Sequence, residues 1–156
     1  TAIGTFRLGA QHTWVNRHEI QLYPDAPVID MFAVNSGYDI PRTKTSARVS
    51  WSREAWLVSM QGTRLGRLPN GWSYDQVWED GDPGPTIPAT WRYNANVQYA
   101  FTDRAQLSLT VVNLFDKMPP LDPTYTSYPY YDISWFDTQG RSFYLQYTHK
   151  FGGGTL

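Results

Sequence analysis

The chain has 156 residues, with 13 Lys and Arg against 14 Asp and Glu and no cysteine. That length suits one domain, the near-zero net charge argues against a nucleic-acid binder, and the lack of cysteine excludes a disulfide scaffold and a thiolate zinc site. A mean hydropathy of -0.49 and the lack of any apolar run near 18 residues exclude a transmembrane helix, and 7 Trp and 11 Tyr beside only 17% charged residues argue against disorder, which leaves an aromatic-rich all-β protein of soluble or outer-membrane type.

In chain order, Phe6, Leu8, Ala10 and Trp14 alternate with Arg7, Gly9, Gln11 and Thr13. Ala47, Val49 and Trp51 alternate with Arg48, Ser50 and Ser52, and a tight turn at Arg53-Glu54 follows. Trp56, Val58 and Met60 then oppose Ser59, Gln61 and Thr63, with Leu57 interrupting the polar set. The clearest run is Thr90 to Phe101: Trp91, Tyr93, Ala95, Val97, Tyr99 and Phe101 on one side, Arg92, Asn94, Asn96 and Gln98 on the other. After a turn at Thr102-Asp103-Arg104, Leu107, Leu109 and Val111 alternate with Gln106, Ser108 and Thr110. Last, Phe143, Leu145, Tyr147 and Phe151 alternate with Ser142, Gln146, Thr148 and Lys150. A period of two is the mark of a strand with one apolar face, so about six strands and no helix are expected.

The connections carry more information than the strands. Those at 53–54 and 102–104 are minimal, whereas 24–42, 66–88 and 116–140 are long and rich in Pro, Gly, Asp and aromatics. Long and short connections alternate, so an antiparallel meander places every long loop at one end and every tight turn at the other. Compact soluble domains favour connections of about 4–6 residues, whereas membrane β-barrels pair short turns at one rim with long loops at the other. The polar sets hold Asn, Gln, Ser and Thr in place of the Lys and Glu of a water-facing sheet, which suits a hydrated lumen. Trp51, Trp56, Phe101 and Phe151 fall at the short-turn end, and Trp14, Trp91, Phe115 and Phe143 at the long-loop end, with smaller aliphatics mostly between. Two aromatic girdles around a plain middle are the pattern of a spanning strand.

From Asn113 the chain reads Asn113-Leu114-Phe115-Asp116-Lys117, then Pro119-Pro120, Tyr131-Asp132, Phe136-Asp137, Gly140-Arg141 and Ser142-Phe143-Tyr144-Leu145-Gln146-Tyr147. This string resembles the C-terminal end of a TonB-dependent outer-membrane receptor. Over about the last forty residues the resemblance is specific; before Asn113 it rests on strand rhythm and loop lengths. It implies that the strands form an open segment of a barrel of about 22 strands with a plug inside it, at residues 1–151, followed by a Gly-rich tail at 152–156. The start at Thr1, with no initiator Met or leader, is then expected of a fragment. Independently of any family, Asn113 and Asp116 are suited to capping a strand end, Pro119-Pro120 to stopping a ladder, and Gly140 to a tight return into the last strand. Phe151 is expected to end that strand and, with Tyr147, to carry the signal read by the barrel-assembly machinery. The residues beyond Phe151 and the polar His149 depart from the family pattern.

No phosphate-binding glycine loop, nucleophile elbow or zinc-protease helix motif is present, and no catalytic residue, cofactor or metal site is expected. His12, His18 and His149 are scattered, and Asp75, Glu79, Asp80 and Asp82 lack the spacing of a calcium loop. The candidate ligand contacts are Trp72, Tyr74 and Trp78 in one long loop, Tyr125, Tyr128, Tyr130 and Tyr131 in another, and lumen-facing Arg92, Asn94 and Asn96. The bland alternative is that the loop rings pack on one another over the barrel mouth.

The resemblance implies a non-enzymatic active importer of a scarce nutrient (a siderophore, a glycan fragment or a corrinoid) in the bacterial outer membrane. Its expected partners are the membrane lipid, the remaining strands and plug, TonB acting through the plug, and the assembly machinery. The competing expectations are a secreted carbohydrate-binding β-sandwich and, third, a small complete barrel.

Overall fold

The computed structural model describes residues 3–30, 32, 40–69, 86–122 and 127–152. Within these the fold is all-β, with no helix. Six long strands form one antiparallel sheet: β1 (Thr5–Trp14), β4 (Thr43–Arg53), β5 (Trp56–Leu65), β8 (Thr90–Thr102), β9 (Ala105–Val112) and β10 (Ser142–His149). They lie in the order β1-β4-β5-β8-β9-β10, a pure meander with β1 and β10 at its edges. Two short ladders sit in the connections, β2 (Glu19–Ile20) with β3 (Ile29–Asp30) and β6 (Leu68–Pro69) with β7 (Thr86–Ile87).

The six expected strands are all present, with β4 starting at Thr43, earlier than its first strongly alternating residue, Ala47. The two short ladders went unforeseen, because two residues per strand leave no periodicity to read. Leu57 does not shift the register of β5: it stands among polar residues, opposite Ser52 and Gln98. The last strand ends at His149, two residues before the expected Phe151, although the Lys150 N–H still donates to the Arg104 carbonyl at 2.8 Å.

The register sorts side chains into rows across all six strands. On one face, Leu8, Val49, Met60, Ala95, Val111 and Phe143 form one row, and Phe6, Trp51, Val58, Val97, Leu109 and Leu145 the next. On the other, Arg7, Ser50, Ser59, Asn96, Thr110 and Tyr144 lie side by side. Exposure runs against the usual order. Val49, Val97 and Leu109, all on interior strands, are 38, 36 and 40% exposed, while Ser59 and Ser108 on the polar face are each 7% exposed. Among the described residues, therefore, no core packs against the apolar face.

Rings gather at both ends of that apolar face. At the tight-turn end Trp56 lies 4.6 Å from Tyr99, Tyr99 5.0 Å from Phe101, and His149 4.4 Å from Phe151, between ring centroids. At the other end Trp91 stacks on Tyr93 at 5.8 Å, and Phe115 meets Tyr93 edge-on at 5.3 Å. The buried apolar cluster lies elsewhere: Leu65, Leu68, Ile87, Tyr131 and Phe136, joined by Trp135. Leu65 belongs to the polar face of β5, so this cluster covers the long-loop end of that face.

Candidate functional site

The polar face and the segment that covers its long-loop end, of which residues 113–122 and 127–141 are described, make up the candidate site. The segment leaves the sheet at Asn113, which is 1% exposed and takes a left-handed φ of 53°. Asn and Asp tolerate that conformation better than other side-chain-bearing residues because their short polar groups bond locally. The Asn113 amide does so in both directions: Nδ2 donates to the Lys117 carbonyl at 3.1 Å, and Oδ1 accepts from the Lys117 N–H at 3.0 Å. Its backbone N–H donates to Asn94 Oδ1 at 3.0 Å, tying the exit to β8. Asp116, with φ 52°, accepts the Arg141 N–H on Oδ1 at 2.8 Å and so joins the two feet of the segment. A Cβ on Gly140 would stand 3.2 Å from that oxygen. Close approach to Asp116 thus accounts for the glycine, and a left-handed backbone does not.

Asp132 and Asp137 each accept the N–H two residues ahead, from Ser134 at 2.7 Å and Gln139 at 3.0 Å, forming side-chain-closed turns. These turns carry Tyr131 and Phe136, whose rings meet edge-on at 6.5 Å within the buried cluster. Arg92 holds the segment from the sheet: Nη1 donates to Asp137 Oδ2 at 3.4 Å and Nη2 to the Gln139 carbonyl at 2.8 Å. Elsewhere on the face, Asn96 Nδ2 donates to Thr110 Oγ1 at 2.8 Å and Arg48 Nη2 to Ser59 Oγ at 3.5 Å. In the first long connection, a hydrogen bond to Glu19 holds the Arg17 guanidinium above its ordinary pKa.

Of the candidate ligand contacts, Arg92 and Asn94 lie on the polar face and both anchor the covering segment. Tyr131 is buried in the cluster and so packs the loop in place of meeting a ligand, whereas Tyr128 and Tyr130 stand clear of it, 82 and 47% exposed, with rings edge-on at 6.4 Å. Trp72, Tyr74, Trp78 and Tyr125 lie outside the described residues, as do Asp75, Glu79, Asp80 and Asp82. Phe151 is exposed beyond the end of β10, and Tyr147, on the apolar face, stacks on His149 at 6.3 Å. The feature that residue-type reasoning missed is the covering role of Leu65, Leu68, Ile87 and Phe136; the Asp-x-Ser and Asp-x-Gln turn spacings were the legible signal for it. Among the described residues no three His or carboxylate side chains come together as a metal site. What the face offers is amides, hydroxyls and guanidinium groups, a chemistry of hydrogen-bonded binding. Compared with known protein families, curated proteins and solved structures, the chain matches none.

Proposed function

We propose that this chain is a segment of an outer-membrane β-barrel, its apolar face turned to lipid and its polar face to a hydrated lumen, and that the barrel is a TonB-dependent importer of a scarce nutrient. The observation that carries the membrane half is the inverted burial of the sheet. An apolar face this broad, uncovered among the described residues, is unfavourable in water, where monomers rarely expose more than a few hundred Å² of contiguous apolar surface. In hydrocarbon it is the expected outer wall.

Dimensions support the same reading. Trp91 and Phe101 are ten residues apart on β8, which at ~3.4 Å per residue and a tilt near 45° projects to about 24 Å, close to the apolar band of a barrel, about 25 Å tall. Among the described residues no strand pairs with the outer edges of β1 and β10, and the open backbone groups, intolerable in lipid, would be satisfied by further strands of a larger barrel. The import half rests on the resemblance of the Asn113–Tyr147 string, which implies ligand capture at the long-loop end and no bond-making chemistry. A β-sandwich would need a second sheet against the apolar face, and the described residues supply only two short ladders.

The test is the behaviour of the chain in water and in dodecylphosphocholine micelles. Aggregation in water and dispersal in detergent are expected; a monodisperse, water-soluble monomer that unfolds cooperatively would overturn the membrane reading. For the import half, the coding sequence upstream should encode a plug and about sixteen further strand repeats.

A further inference from the structure

A groove of about 470 Å³ lies in the apolar face toward the long-loop end, within the size range of small-ligand pockets. Its floor is the row Ala10, Ala47 and Gly62, and its wall is the stacked pair Trp91 and Tyr93. Gly62 is required by this packing: a Cβ there would stand 2.9 Å from Tyr93 Cε1, so only glycine lets the ring lie across β5. On the side of the tight turns the groove continues onto Leu8, Val49 and Met60.

The adjoining row on the side of the long loops is different in kind. It holds His12, Thr45, Arg64 and Trp91. Arg64 is two residues beyond Gly62 on the same face, and its Nη1 donates to Thr43 Oγ1 at 3.3 Å. His12 Nδ1 and Thr45 Oγ1 are 2.8 Å apart. Among the described residues Arg64 pairs with no carboxylate. The successive rows are therefore cationic and hydroxylated, then small and apolar, then bulky and aliphatic, at ~7 Å per two residues. A membrane lipid has the same order, from phosphate to acyl chain, and Trp at the upper row suits the headgroup level.

We propose that the groove seats one phosphorylated lipid, its acyl chain on Ala10, Ala47 and Gly62 against Tyr93, and its phosphate at Arg64. The proposal rests on the membrane reading above and adds a defined lipid site to it. The occupant is identified by charge complementarity as well as shape: an uncharged hydrocarbon would leave Arg64 without an anion, and a zwitterionic headgroup would offset its own phosphate.

The test uses the full chain in phosphatidylcholine vesicles containing equal mole fractions of brominated phosphatidylglycerol or brominated phosphatidylcholine, with tryptophan quenching as the readout. The share of Trp91 is obtained by difference from Trp91→Phe. Quenching of Trp91 should be about fivefold more efficient with the anionic lipid, the factor expected of one arginine beside an anionic headgroup. Arg64→Gln should bring that ratio near one, and Ala47→Phe, which fills the floor, should protect Trp91 from both lipids. Equal quenching of Trp91 by both lipids, or a ratio that neither variant moves, would overturn the lipid site while quenching of the other tryptophans keeps the membrane reading intact. Quenching of no tryptophan by either lipid would remove both. A cross-linked dimer abolished by Ala47→Phe would assign the groove to a second copy of the chain and reject the lipid.

Discussion

The two faces of the six-stranded sheet carry opposite chemistry and are finished in opposite ways. The polar face is covered at its long-loop end by an ordered segment, pinned by Asn113, Asp116 and Arg92 and closed with the cluster around Tyr131 and Phe136. Among the described residues nothing is laid over the apolar face, and rings pack along its two ends. In a soluble protein the assignment would be reversed, because covering apolar surface is the main favourable contribution to folding. Among the described residues, then, the ordered connections pack toward the polar side of the sheet and not the apolar one.

The largest expected effect separates the two faces directly. Val97 and Asn96 are neighbours on β8 and point to opposite faces. In a barrel refolded into bilayers, Val97→Arg should cost ~2–4 kcal/mol near the midplane. Asn96→Arg, which loses the bond to Thr110, should cost about 1 kcal/mol. Urea titration of bilayer folding measures both, and equal costs would reject the assignment of faces.

A smaller effect sharpens the account of the covered face. Asn113→Ala removes both side-chain bonds to Lys117 and leaves alanine in a left-handed conformation. Together these should destabilise the covering segment by about 2–3 kcal/mol. Amide hydrogen exchange should rise at Trp135 and Phe136, whose N–H groups bond the Asp132 carbonyl, and stay unchanged along β4 and β5. Uniform loss of protection across the sheet would mean that cover and sheet fold as one unit.

The smallest effect concerns Asp137, half-exposed beside Arg92. Asp137→Asn should cost no more than about 1 kcal/mol, since ion pairs reached by solvent contribute little and the Arg92 bond to the Gln139 carbonyl persists. The same exchange measurement detects it at residues 137–141. A larger loss would make that ion pair, and with it Arg92, the principal anchor of the segment.

The strands and the alternation of their faces were legible in the sequence because a period of two is local: Trp91 to Phe101 declares its apolar side without reference to any partner. The turn chemistry at Asn113 and Asp116 was legible for the same reason, since an amide or carboxylate near a strand end bonds within a few residues. What the periodicity could not say is which rows meet. That Ala10, Ala47 and Gly62 fall together beneath Tyr93, with Arg64 one row beyond, depends on the register of three separate strand pairs. The cover is tertiary for a like reason: Leu65 and Phe136 are far apart in the chain, and their burial follows from bonds that Arg92 and Asp116 make to the segment's far end. Local pattern alone was enough for the six long strands, their two faces and the turn residues at Asn113 and Asp116. Which rows meet, and what covers the long-loop end of the polar face, follow from tertiary packing, because burial is a property of what lies against a residue and no local pattern names its partners.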